Sequence, residues 1–128
     1  MSCMYHLLEQ TVYDFDCVAH RDERLCAIEH LQSLSDNDIV IFDRGYFSYY
    51  LLYKIMELGL HTVFRMQHGT TSSQVEEFWL SDSNDEIVEY VPSRDVKNSL
   101  KRRGVNIDFK ALSVRFIVSL QINCSNLE

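Results

Sequence analysis

Asp38-Ile39-Val40-Ile41-Phe42-Asp43-Arg44-Gly45-Tyr46-Phe47-Ser48, with its sequel Leu60-His61-Thr62-Val63-Phe64-Arg65-Met66, decides the fold of this chain. Ile39 to Phe42 is a short unbroken run of β-branched and aromatic residues between two acids, the pattern of a strand buried on both faces at a central sheet position. Ser48 is placed to cap a helix through Tyr49, Leu51, Leu52, Tyr53, Ile55, Met56 and Leu58. Gly59 closes that helix, and Leu60 is set for a Schellman-type contact. His61 to Met66 returns to strand character. Residues 39–66 therefore predict a β-α-β unit with parallel strands and a right-handed crossover, which places the chain in the α/β class.

Toward the N-terminus the first twenty residues alternate apolar and polar character. Tyr5 and Leu7 share one face, and Tyr13, Phe15 and Cys17 stand opposite Val12, Asp14 and Asp16. Two strands joined near Glu9 to Thr11 fit this pattern, with Asp14 and Asp16 on a solvent-facing side. Asp22 can cap a helix carrying Leu25, Ile28, Leu31 and Leu34, with Glu23 near the positive end of its dipole and Ser35-Asp36-Asn37 as the stop.

Toward the C-terminus, residues 68–74 turn polar and lose periodicity, which marks a loop or the edge of an insertion. Val75–Leu80 and Glu86–Val91 read as strands separated by Ser81-Asp82-Ser83-Asn84-Asp85. Pro92 and Ser93 can open a short helix with Val96 and Leu100 inward and Lys97, Lys101 and Arg102 outward, ended by Gly104. A last strand puts Leu112, Val114, Phe116, Val118, Leu120 and Ile122 on one face and Ser113, Arg115, Ile117, Ser119 and Gln121 on the other.

With 128 residues, 46% of them apolar and 24% charged, the chain is large enough to bury a core, which excludes a disordered tail. One Pro, four Gly and no recurring unit exclude collagen, a long coiled coil and a solenoid. The most apolar stretch, Tyr46 to Leu60, is broken by Lys54 and Glu57 and falls short of the ~20 apolar residues a bilayer span needs. The opening MSCMYHLLEQ has neither a basic start nor an apolar signal core, so the expected location is cytoplasmic, with no membrane partner.

Cys3, Cys17, Cys26 and Cys124 show no CxxC pair or zinc-finger spacing and read as reduced, mostly buried small hydrophobes. The five His residues are scattered and read as surface or satisfied half-buried imidazoles. The formal charge of −7 argues against adhesion of the whole surface to a polyanion. Between Arg94 and Arg115, however, seven basic residues meet two acids, so this segment is +5 and the remainder −12. Any nucleic acid is expected there; the alternative is a solvated helix end and loop.

In open α/β sheets, ligands collect beyond the carboxyl ends of the parallel strands. Asp43 sits at such an end, emerging from a dry strand into the turn Arg44-Gly45-Tyr46. A fixed carboxylate there suits a hard divalent cation. The alternatives are that Asp43 caps the following turn or pairs with Arg44.

The block from Asp38 through Asp43-Arg44-Gly45-Tyr46 to Leu52, with Leu60 to Met66 after it, resembles the second conserved block of bacterial insertion-sequence transposases of the DDE class. In that family a hydrophobic strand ends in Asp-Arg-Gly-aromatic, a helix follows, and the next strand finishes with Arg. Asp22-Glu23-Arg24 and Glu29-His30-Leu31 are similar to the family's preceding helix, and the likeness runs from residue 1 to about 120.

The resemblance implies a partial ribonuclease H-like fold, a mixed sheet with flanking helices over residues 1–68, followed by a β-rich insertion over residues 69–128. It implies metal-dependent cleavage and joining of DNA at transposon ends, in which three carboxylates hold two Mg²⁺ or Mn²⁺ ions. Asp43 would be the second catalytic and metal-ligating carboxylate. The first belongs to a strand ahead of the opening hairpin and the third to a later Glu-bearing helix, and neither is found in this sequence. The chain alone is therefore expected to lack catalysis, since one acid cannot assemble a two-ion site. It would instead be the middle of a transposase, or a remnant that binds DNA or the full-length enzyme. Lys97, Lys101, Arg102, Arg103 and Arg115 become candidate DNA contacts. Arg44 and Arg65 are expected near the crevice, with structural ion pairs as the alternative. A homo-oligomer is compatible with this reading.

Overall fold

A computed structural model describes residues 2–17, 22–66, 69 and 72–118. The chain is a mixed α/β protein with four helices and three two-stranded sheets among the described residues, divided into two compact units, Met1–Gln67 and His68–Glu128. No described helix is long and apolar enough to cross a membrane.

The first unit opens with an antiparallel hairpin, β1 (Ser2–His6) and β2 (Thr11–Asp16), interrupted by a bulge at Met4/Tyr5. α1 (Glu23–Leu31) follows, its first turn closed by Asp22, whose carboxylate accepts the Arg24 N–H at 2.9 Å. β3 (Ile39–Phe42) and β4 (His61–Phe64) pair in parallel, Ile39 opposite His61 and Phe42 opposite Phe64. Between them runs α2 (Tyr49–Glu57), with the Ser48 hydroxyl accepting the Leu51 N–H at 3.2 Å. At its other end the Leu60 N–H reaches Ile55 O at 3.1 Å and the Gly59 N–H reaches Met56 O at 3.2 Å, with Gly59 at φ +70, which is the Schellman pairing.

The core forms where α1 and α2 cover one side of the β3–β4 pair, uniting Ala27, Leu31, Phe42, Leu51, Ile55 and Leu60. The expected double-sided burial of β3 is not found. Phe42 is 9% exposed, but Ile39 is 68% and Ile41 61% exposed, and β4 is the one partner of β3 among the described residues. An unbroken apolar run fixes the strand but not how many layers cover it. Here the helices lie over Val40, Phe42 and Phe64, and Ile39, Ile41 and Val63 stand on the uncovered face.

α1 ends at Leu31, before Leu34; of the expected line Leu31 is in the core and Ile28 and Leu34 pack against it, while Cys26, Ala27 and His30 are buried as well. In the hairpin Asp14 is solvent-exposed, as expected, and its carboxylate also meets His30 of α1; Tyr5, Val12, Tyr13 and Phe15 are exposed as well. Of the cysteines, Cys26 is buried and Cys3 and Cys17 are exposed; Cys124 lies outside the described residues.

The second unit contains α3 (Ser73–Leu80), β5 (Asp85–Tyr90), α4 (Arg94–Arg102) and β6 (Leu112–Ile117). The expected strand at Val75–Leu80 is helical instead. Val75 and Phe78 are buried three residues apart, and Gln74, Glu76, Glu77 and Leu80 are good helix formers. The second unit, expected to be a β-rich insertion, therefore carries two helices beside its two strands among the described residues. Gln74 behaves as a stand-in for a neighbouring strand, its amide donating to Glu89 O at 2.8 Å and accepting the Val91 N–H at 3.3 Å along β5.

β5 and β6 pair antiparallel from Asp85 opposite Ile117 to Tyr90 opposite Leu112. Tyr90 and Leu112 are buried, and Phe116 packs on Phe78 with ring centroids 5.4 Å apart. The expected continuation of the last strand through Ser119, Leu120, Gln121 and Ile122 falls outside the described residues, as do His20 and His68.

Candidate functional site

Asp43 follows the last residue of β3, with extended backbone at φ −75 and ψ 162, and opens a single 3₁₀ turn, Arg44–Tyr46. Its support is apolar. Phe42 stacks on Phe64 with centroids 5.0 Å apart, Tyr46 approaches Phe42 at 5.7 Å, and Phe47 meets Phe64 edge-on at 5.3 Å. The turn is also tied to α1, where the Arg24 guanidinium donates to Gly45 O at 3.1 Å. A rigid aromatic base and a charged tie thus hold the backbone on which the carboxylate rides.

That carboxylate is exposed and makes no capping hydrogen bond to the turn it precedes. Of the two structural alternatives raised by the sequence, capping of the turn is thereby removed. The parallel register places Arg65 next to it: Phe42 is opposite Phe64, so Asp43 and Arg65 leave β3 and β4 at the same end, and the Arg65 N–H donates to Phe42 O at 3.1 Å. Arg44 is exposed at the start of the turn.

A hard divalent cation needs several oxygen ligands. Asp43 supplies one carboxylate, and among the described residues no group of three or more His, Cys, Asp or Glu is placed to hold a metal ion. The described residues do not complete a Mg²⁺ or Mn²⁺ site.

The basic segment is centred on α4 in the second unit. Ser93 caps it by accepting the Val96 N–H at 3.3 Å. Leu100 is buried, and Arg94, Lys101, Arg102 and Arg103 are exposed, with Lys97 half-buried. The helix ends as α2 does, the Val105 N–H bonding Leu100 O at 3.0 Å and the Gly104 N–H bonding Lys101 O at 3.0 Å. The Lys101 ammonium sits 5.8 Å from the Phe109 ring centroid.

Arg115 stands apart from the other candidates. Its Nε and Nη2 donate to the two oxygens of Asp85 at 2.8 and 2.6 Å, a fork that occupies the guanidinium. The Asp85 carboxyl is held below its ordinary value by that hydrogen bond, and Arg115 is raised by the same partner.

The sequence reading missed His30. It is 6% exposed, its Nδ1 is 2.6 Å from Asp14 Oδ2, and its Nε2 is buried without a hydrogen-bond partner among the described residues. The surface or satisfied reading fails for this imidazole. His30 precedes buried Leu31 and follows buried Cys26 by one helical turn, but only the pairing with β2 identifies its role. No protein-family model, no curated protein and no solved structure matches this chain.

Proposed function

We propose that this chain is a segment of a DDE-class transposase with a ribonuclease H-like core. In this reading Asp43 is one of the carboxylates of the divalent-metal site that cleaves and joins transposon-end DNA, and α4 presents cations to DNA phosphates. The observation that carries the proposal is the placement of Asp43: exposed, uncapped, rigidly based, and beside Arg65 at the carboxyl end of a parallel strand pair. A carboxylate used only to close its turn would be hydrogen-bonded to it.

The chain by itself is a binding element rather than a catalyst, because a lone acid neither neutralises nor surrounds two divalent ions. Arg94, Lys97, Lys101 and Arg102 extend over about 12 Å of α4, given a rise of 1.5 Å per residue, enough to follow one stretch of phosphodiester backbone. Such contacts position DNA without reading its sequence.

The test uses the purified chain with duplex DNA. The expected result is binding that weakens steeply with salt, is lowered when Lys97, Lys101 and Arg102 become Gln, and is never accompanied by nicking in Mg²⁺ or Mn²⁺. Salt-independent binding, or binding indifferent to those replacements, overturns the DNA interface. The family assignment is tested on the DNA flanking this reading frame: an Asp-bearing strand encoded upstream and a Glu-bearing helix downstream support it, and unrelated intact genes abutting both sides overturn it.

A further inference from the structure

β5 pairs with β6 along one side, and its other side carries a row of backbone groups turned outward. The Val118 N–H bonds Asn84 O at 2.9 Å and continues the ladder, so the even-numbered residues of β5 turn their N–H and C=O to β6. The odd-numbered residues turn theirs away. Gln74 marks the same phase, its amide donating to Glu89 O at 2.8 Å and accepting the Val91 N–H at 3.3 Å. At the other end of the row the Ser83 hydroxyl donates to Asp85 O at 3.1 Å.

Between these two side-chain plugs, Ile87 directs both its N–H and its C=O outward, and the Glu89 N–H follows one rung on. The Ile87 side chain is 71% exposed. A residue of an antiparallel strand exchanges both hydrogen bonds with the residue opposite it, which is what this rung offers. Charge then decides which strand fits. Glu86 and Glu89 flank the rung and are both exposed, and the fork with Asp85 already occupies Arg115. A second copy laid antiparallel through Ile87 would set Glu89 of each copy opposite Asp85 of the other, and like charges directly opposite are unfavourable. A strand with Lys or Arg opposite Glu86 and Glu89 and a β-branched residue opposite Ile87 gains at all three positions.

We propose that the outer edge of β5, between the Ser83 and Gln74 plugs, binds a short extended cationic peptide segment as an added antiparallel strand centred on Ile87. Main-chain hydrogen bonds at Ile87 and Glu89 hold the segment, and the flanking carboxylates select it. In its own direction the segment reads cation, any residue, β-branched apolar residue, cation. The plugs limit it to a few rungs and keep the rest of the edge from recruiting strands indiscriminately. None of the α4 cations takes part, so occupancy of this edge is independent of DNA.

The experiment titrates the full chain with the synthetic peptide acetyl-Thr-Lys-Thr-Val-Lys-Thr-amide, following amide hydrogen exchange by NMR and the anisotropy of a fluorescent copy of the peptide. Exchange should slow at the Ile87 and Glu89 N–H groups and stay as it was at Val88 and Tyr90, which already face β6. Binding should weaken with salt, and Glu86→Gln and Glu89→Gln should each weaken it about two- to fivefold, the range of an exposed ion pair. N-methylation of the peptide's Val, which removes the donor to Ile87 O, should abolish binding. A Glu-for-Lys peptide that binds equally well, an N-methylated peptide that binds like its parent, or slowing confined to β6 overturns the proposal. So does Ile87 exchange that slows with chain concentration alone, which would make a second copy the occupant, or that stays unchanged in millimolar peptide.

Discussion

His30 Nδ1 lies 2.6 Å from Asp14 Oδ2 and joins α1 to β2, while the other nitrogen of the same ring is buried without a partner among the described residues. An ionised carboxylate only accepts hydrogen bonds, so the proton between them is on the imidazole. Removing one member of such a pair costs more than removing both, because the survivor is left buried and unsatisfied. Asp14→Ala is therefore expected to lower the urea midpoint and speed amide exchange in the hairpin. The double variant Asp14→Ala/His30→Leu should recover more than half of that loss, since it leaves no orphaned imidazole. A double variant worse than the single one would show that the ring contributes by some route other than Asp14.

The same pair sets part of the acid limit of stability. The hydrogen bond from His30 holds the Asp14 carboxyl below its ordinary value of 3.8, and the Arg115 fork does the same for Asp85. Because both folded-state values lie below the unfolded ones, their stabilisation is complete above the ordinary carboxylate range and is lost as pH falls through it. Unfolding followed from pH 6 to pH 2 should show stability declining below about pH 5, the region where carboxylates of ordinary pKa begin to bind protons in the unfolded chain. Asp14→Ala and Asp85→Ala should each flatten that decline. A slope unchanged in both variants would sink the assignment.

Much of the first unit is legible in the sequence because its signals are local. Ser48, Gly59 and Asp22 each act on backbone groups a few residues away, and all three do what their positions imply. What the sequence does not carry is the second side of each contact. Ile39 and Ile41 look like core residues until it is known that the helices cover only the Phe42 side. Asp14 is the solvent-facing residue it looks like, but its pairing with His30 appears only once α1 is in place. Val75–Leu80 reads as a strand, and the helix wins because Val75 and Phe78, three residues apart, are buried together. Asp43 was locatable as a strand end, whereas its freedom from capping is a tertiary fact.

Gly59 and Gly104 provide a matched test of the two helix ends. Both sit at positive φ, +70 and +77, in the same Schellman geometry. Among the described residues a Cβ at Gly104 meets nothing within 4 Å, and one at Gly59 meets only the Asp36 carboxylate, Oδ1 at 3.8 Å and Cγ at 3.9 Å. Space is available at both, so the cost of Ala is conformational, about 1–2 kcal/mol at each site. Denaturant titration should give similar losses despite the different surroundings. A much larger loss at Gly59 would mean that the Asp36 contact is tighter than ordinary packing.

Asp22 and Asp43 both precede helical turns, and only one of them caps. Asp22→Ala should cost about 1 kcal/mol, the usual value for losing an N-cap. Asp43→Asn removes no hydrogen bond within its turn and should stay within about 0.5 kcal/mol of the parent, as surface replacements do. Equal losses at the two sites would mean that Asp43 has a structural duty and would weaken its reading as a metal ligand.

The fork between Arg115 and Asp85 sets Arg115 apart from the cations of the second unit that are proposed to meet DNA. A guanidinium already engaged by both oxygens of a carboxylate gains little from a phosphate, because it must surrender one bidentate partner for another. Each phosphate contact on duplex DNA contributes about 0.9 to the slope of log affinity against log salt. Lys97→Gln and Arg102→Gln should therefore each reduce that slope by roughly one, across unrelated DNA sequences. Arg115→Gln should leave the slope unchanged and act on the β5–β6 pair instead, detected as faster amide exchange from Asp85 to Tyr90. A slope lowered by Arg115→Gln as much as by Lys97→Gln would place the DNA on the outer face of β6 rather than on α4.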